Sequence, residues 1–386
     1  MRRSNPFQDN TSPAIAWSRR EFIRAATAIS AGGTLFSPAS ISAAASPSRQ
    51  KAVVVTFGGG ARDQETFAPE GHENIPGLLH TLFPQSTFFA QVVNHGILGH
   101  YVATSSIATG VYETFNNFTG NPPESPTIFE YFRKGLKRPA SDAWVIAPSN
   151  GFGRIGESSS RGFGPGYGAG VILPKQLLQS ASPGQSMEDL TRWMRDGYEE
   201  PHTASKSKID DAQFLQLEQA LKLSVSEFTQ HAQSLSSADE LSVYIARQLM
   251  RQSSPSLLWI TLHDIDIAHS GAYSLYIDGI QRSDRLCVEI WNAIQSDPEY
   301  SGKTTMFILP DFGRDSDTNA GGNGFQHHRT GDPQSRTTWM MVLGPSIRHG
   351  VFVERPVDSL DLVPTLGRLL GFPTPLAHGT PLPEVM

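Results

Sequence analysis

Short apolar and β-branched runs recur along the chain, separated by stretches with helical periodicity. Lys51 to Phe57, Thr87 to Val93, Ala143 to Ala147, Leu257 to Leu262, Thr305 to Leu309 and Trp339 to Leu343 read as strands. Their near-continuous hydrophobicity, in place of strict alternation, implies a sheet covered on both faces. Ser125 to Leu136, Ser270 to Ile294 and Asp358 to Leu370 read as helices. In the second of these, Tyr273, Ile277, Ile280, Cys287, Ile290, Trp291 and Ile294 form one apolar stripe to lay on the sheet. Cys287, the single cysteine, is thereby predicted to be a core residue. Strands alternating with helices predict an α/β fold: a doubly wound, mostly parallel sheet flanked by helices, one domain from residue 51 to 386. Residues 207 to 251 form a polar helical region broken near Ser234 to Ala238, so 150–250 is expected to be an irregular or helical cap.

The first 50 residues stand apart from this pattern. Ser18-Arg19-Arg20-Glu21-Phe22-Ile23 precedes a mildly apolar run from Ala25 to Phe36, then the small residues Ala43-Ala44-Ala45. That arrangement resembles a twin-arginine signal with a cleavage site, an address read by the export machinery of bacteria. It implies a periplasmic or secreted product. No other stretch approaches the roughly 18 apolar residues of a membrane span, and no cysteine follows the signal to carry a lipid, so no stable membrane anchor is expected. Beyond residue 50 the chain has 25 basic and 35 acidic residues, which makes a phosphate-tracking basic surface, and with it a nucleic-acid partner, a poor expectation.

Gly151-Phe-Gly153-Arg-Ile-Gly156 matches a dinucleotide fingerprint by letters alone. Such a site needs a helix opening at the third glycine, and Ser158-Ser-Ser-Arg161 followed by Gly162-Phe-Gly-Pro165 cannot supply one. A glycine-rich loop over the active site is the expectation instead.

The chemistry-bearing residues sit where predicted strands stop. Leu257 to Leu262 runs into His263-Asp264-Ile-Asp266-Ile-Ala-His269, and Thr305 to Leu309 runs through Pro310 into Asp311-Phe-Gly-Arg314. His327-His328 follow in a polar, glycine-rich segment. Open α/β sheets bind ligands beyond the carboxyl ends of their strands, and Asp with His is a divalent-metal donor set. A lone Asp at a strand end is more often a helix cap; its coincidence with a second Asp and a histidine pair points to metal.

These clusters, with Leu343-Gly-Pro-Ser-Ile-Arg-His-Gly350, Pro356-Val-Asp-Ser-Leu-Asp-Leu-Val-Pro-Thr-Leu366 and Gly379-Thr-Pro-Leu-Pro383, resemble the alkaline phosphatase and sulfatase superfamily. The resemblance implies one or two divalent ions, with Zn, Mn, Mg and Ca undistinguished. Asp266 or Asp264, His269 and one of His327 and His328 would share one ion, and Asp311 would serve a second. Gly58-Gly-Gly60 stands where the family carries an Asp, and Phe312 where it carries a His. Counting back from Thr109-Gly110 to the family's nucleophile position lands on His100, with Thr104 close by. Thr104 is thus the expected nucleophile, or a water in its place. His100 would act as ligand or general base, and Arg314 or Arg62 would hold the anion. The implied activity is hydrolysis of a phosphate or sulfate ester, the substrate a small molecule or a glycan ester. The alternative is a degenerate relative that binds metal without hydrolysis.

Overall fold

Unbroken apolar runs in the sequence become the strands of one nine-stranded sheet in the computed structural model, which describes residues 50–386 apart from 119, 165, 176–230, 233, 236, 319 and 320. The signal segment and residues 207–230 of the polar helical region lie outside the described residues. In chain order come β1 (Lys51–Phe57), β2 (Ser86–Val93), α1 (His100–Thr109), α2 (Ile128–Leu136), β3 (Ala143–Ile146) and β4 (Gly170–Ile172). Then follow α3 (Ala238–Ser253), β5 (Leu257–Leu262), α4 (Tyr273–Ser296) and β6 (Thr304–Pro310). The chain closes with β7 (Thr337–Leu343), β8 (Val351–Val353), β9 (Val357–Asp358) and α5 (Leu362–Leu370).

The strand order is β4-β3-β5-β1-β6-β7-β2-β8, with β9 also paired to β2. All pairings are parallel except those of β7, which runs antiparallel to both β6 and β2. The sheet is therefore mostly parallel, as the sequence pattern implies. β1, β5 and β6 are buried at every position but one, as strands covered on both faces must be. Ala52, Val54, Leu257, Trp259, Phe307 and Leu309 turn to one face, where α1, α2 and α5 complete a single hydrophobic core. Each fully buried Val, Leu or Phe side chain among them contributes about 1.5–3 kcal/mol. α3 and α4 pack on each other and against β5 and β6, respectively, and add nothing to that core. Cys287 on α4 is wholly buried, which pushes its thiol pKa well up.

Two parts of residues 150–250 belong to this architecture and not to a separate cap: β4 extends the sheet and α3 packs on it. The glycine-rich loop is packed into it as well. A Cβ on Gly151 would lie 2.5 Å from the Tyr101 ring, and Phe152 is fully buried with its ring edge-on to His263. Gly151 and Gly156 serve close approach, and no dinucleotide-type helix opens at Gly156.

The register decides where chemistry can occur. Phe57 at the end of β1 is paired with Leu262 of β5 on one side and Pro310 of β6 on the other. Three strands thus end side by side, and the residues that follow them meet.

Candidate metal centre

After β5 the chain enters a 3₁₀ turn, Asp264–Ser270, closed by Gly271 in the left-handed region at φ 79°. The turn directs Asp266 inward, with its backbone N–H on the His263 carbonyl at 3.0 Å. One carboxylate oxygen of Asp266, Oδ1, lies 3.1 Å from His100 Nε2, 3.3 Å from His269 Nε2 and 2.9 Å from Arg314 Nη2. The other, Oδ2, lies 3.3 Å from His263 Nε2. His328 joins through its Nε2, 3.0 Å from His269 Nε2. His100, His269 and His328 each place a ring nitrogen within 4.8 Å of the other two. Asp266 Oδ1 lies within the same span of His100 and His269.

His100 opens α1. Gly99 precedes it as N-cap, and the next two backbone N–H groups are satisfied by Asn117 Oδ1 at 3.0 and 3.3 Å. The helix start is therefore fixed without help from a substrate. The His100 ring lies against Phe312, 4.6 Å away and nearly parallel, and its Nδ1 bonds to Asp311 Oδ2 at 2.7 Å. Its Nε2, although close to Asp266, has no aligned hydrogen-bond partner in the interior.

The charges follow from this geometry. Burial opposes a charge on His100, but Asp311 and Asp266 outweigh it and raise the imidazole to about 9. Burial likewise opposes ionisation of Asp266, and the surrounding histidines, His100 first, overcome it and hold this carboxyl well below its usual range. In His328, burial and then the positive charges of His100, Arg314 and His269 push the pKa far down, so the ring stays neutral and keeps a lone pair to donate.

The donor set suits a divalent cation. In tetrahedral coordination at 2.0–2.1 Å, ligand nitrogens stand about 3.3 Å apart, close to the 3.0 Å between His269 Nε2 and His328 Nε2, and three imidazoles with an open position are a known catalytic arrangement. The independent sign is His100 Nε2, buried with Asp266 Oδ1 3.1 Å away but without an aligned hydrogen bond, and turned toward the other two imidazoles.

Of the residues singled out from the sequence, the structure brings together Asp266, His269, His328, His100, Asp311 and Arg314, and leaves four others aside. Asp264 turns away to Arg282, at 2.7 Å. His327 is exposed and contributes its backbone carbonyl to Asp315. Thr104 lies one turn inside α1, fully buried with Oγ1 unpartnered, where no substrate reaches it. Arg62 is held by Glu65, Asp317 at 2.6 Å and the Asp315 carbonyl. Arg314, although at the site, has all three guanidinium nitrogens occupied by the carbonyls of Gly59, Gly60 and Phe325 and by Asp266. Neither arginine is available as an anion clamp.

Asp239 went unnoticed in the sequence. From the first turn of α3 it accepts the backbone N–H groups of His263 and Asp264 at 2.7 and 2.9 Å, fixing the strand end that carries the site. An acid in a first turn ordinarily serves the helix dipole, so its sequence position carries no other signal.

No family model and no curated protein matches this chain. Solved structures do. Alkaline phosphatase PafA aligns with TM-score 0.54 at 11% identity, over 87% of this chain and 99% of its own. The phosphonate monoester hydrolase SpPMH from Silicibacter pomeroyi aligns with TM-score 0.51 at 13% identity, over 87% and 76%. Ps i-CgsB aligns with TM-score 0.53 at 12% identity, over 86% and 75%. The chain shares its fold with alkaline phosphatase PafA and these other structures.

Proposed function

We propose that this protein is an exported, metal-dependent hydrolase of phosphate or sulfate esters. The observation that carries the reading is the convergence of His100, His269 and His328 beside Asp266, at the aligned ends of β1, β5 and β6. The shared fold supports it, because proteins named as a phosphatase and a phosphonate monoester hydrolase use the same scaffold. A divalent ion held by His100, His269 and His328 would supply Lewis acidity toward a water and an ester oxygen. The chain's part is positional. Asp266, fixed by Arg314, turns Oδ1 to the Nε2 atoms of His100 and His269 and so faces the point where these imidazoles converge, and Asp239 holds the strand end beneath them. Water attacks phosphorus or sulfur, the ester oxygen leaves with a proton as an alcohol, and phosphate or sulfate remains. With Thr104 sealed inside α1, water is the attacking group that fits this site.

The sealed Thr104 also favours a second reading, a metal-binding protein without hydrolysis. One experiment separates the two: metal content of the purified chain, alongside turnover of an aryl phosphate, a phosphonate monoester and an aryl sulfate. Bound metal with turnover that His269→Ala lowers at least a hundredfold supports the hydrolase. Metal without turnover of any ester supports the second reading, and a folded protein with no metal sinks both.

Export rests on Arg19-Arg20. Replacing both with Lys should leave the protein in the cytoplasm of an expressing bacterium, as read by fractionation. Among the described residues no helix is long and apolar enough to cross a membrane.

A further inference from the structure

We infer that the centre is built for a single ion, and that Asp311 orients His100 toward that ion and does not hold a second one. The inference rests on the metal reading above and assigns the residues around it.

His100 presents two nitrogens to two different surroundings. Nδ1 is bonded to Asp311 Oδ2 at 2.7 Å, and Nε2 is buried, without an aligned partner, beside the nitrogens of His269 and His328. A histidine that ligates through one nitrogen ordinarily gives the proton on the other to a carboxylate, which sets both the tautomer and the ring plane. Asp311 fills that role. Its Oδ2 is taken by His100, its Oδ1 accepts the Phe312 N–H at 3.0 Å, and the residue is 1% exposed. Phe312 closes the other side of the imidazole by stacking on it.

The surroundings of Asp311 offer no second set of ligands. The strand beside β6 is β1, and it ends in Gly58-Gly59-Gly60, which carry no side chains. Their carbonyls do not face an ion, because the Arg314 guanidinium bonds to Gly59 and Gly60 and continues to Asp266 Oδ1. A fixed monovalent cation thus stands at the end of β1, fully buried and paired with Asp266 Oδ1. An ion added there would meet a like charge and lack donors. Among the described residues, the donors with ligand spacing gather at one place, the imidazole trio with Asp266 beside it.

The test is the metal stoichiometry and the cobalt(II) spectrum of the full chain, purified without a histidine tag or chelator, compared with Asp311→Asn and His328→Ala. The wild type should bind one equivalent. Asp311→Asn should still bind one, with affinity lowered about 10- to 100-fold and the cobalt ligand-field bands shifted, as loss of an orienting carboxylate dictates. His328→Ala should lose far more affinity, since it removes a ligand. Two equivalents in the wild type, one of them lost in Asp311→Asn, would overturn the inference and leave the metal reading standing. An unshifted spectrum and unchanged affinity in a folded Asp311→Asn would also overturn it. No metal in the folded wild type would overturn both. Should Asp311→Asn fail to fold, the wild-type stoichiometry decides alone.

Discussion

Thr104 carries a hydroxyl that is fully buried and bonded to nothing, so its chemistry and its energetics point in opposite directions. A nucleophile would be missed on replacement; an unsatisfied polar atom would not. Thr104→Val keeps the shape and removes the orphan, and should raise stability by about 1 kcal/mol in urea unfolding while leaving metal content and any turnover unchanged. Asp239 gives a second prediction. Burial, and then the neighbouring Asp264, raise its carboxyl to about 8 even though it accepts two backbone N–H bonds. Its unfolded value is about 3.9, so between about pH 4 and 8 the folded state retains a proton that the unfolded state has lost. Stability from this group is therefore complete below about pH 4 and falls as pH rises toward 8, by at most about 1.4 kcal/mol per pH unit. Asp239→Asn should flatten that slope, read as the difference between wild-type and variant urea midpoints from pH 5 to 8. Residue types at strand ends were legible in the sequence because donors for metal are few. The destination of a side chain was not: nothing in the letters shows that the donors of Arg62 and Arg314 are taken up by carbonyls and carboxylates, or that Asp264 turns to Arg282.

Among the elements, strands with a long apolar run were legible almost to the residue, as in β1 and β5, because burial on both faces leaves no polar position to confuse the pattern. α1 was not. Nine of its ten residues are buried, so His100–Thr109 has no polar face and no helical period to detect. β4, β8 and β9, of three, three and two residues, are too short to show any period. The helix that delivers His100 was thus invisible as a helix, and that residue was reached only by counting back from Thr109-Gly110. At the ends of the central strands the elements touch closely enough to predict a steric effect. A Cβ on Gly59 would lie 2.5 Å from the backbone nitrogen of Asp266 and 3.0 Å from its Cα. The obstacle is backbone and cannot rotate away, so Gly59→Ala must push the Asp264–Ser270 turn off β1. It should cost about 1–3 kcal/mol in unfolding free energy and weaken metal binding in a calorimetric titration. Unchanged binding would show that the turn has more freedom than this contact allows.

The whole molecule adds what no local pattern contains, the order of the strands. β1 pairs with β5 and β6, each more than 200 residues away, and that pairing alone brings Asp266 and Asp311 to either side of one histidine. His100 and Asp311 are 211 positions apart, and His269 and His328 are 59 apart. An ion held by the three imidazoles would join α1, the turn after β5 and the loop after β6, segments that come together only in the folded chain. Ligand that binds the folded state alone stabilises it by RT ln(1 + [L]/Kd), about 2.7 kcal/mol at a free concentration one hundred times Kd. Removing metal with a chelator should therefore lower the thermal midpoint by several degrees, given about 2–4 °C per kcal/mol in domains of 150–250 residues. Returning the ion should restore it with a concentration dependence that yields Kd. His328→Ala should unfold at nearly the same temperature with and without the ion at that concentration, since its folded state lacks one of the three imidazoles. A wild-type midpoint that ignores both chelator and metal would mean that the three histidines meet for packing alone.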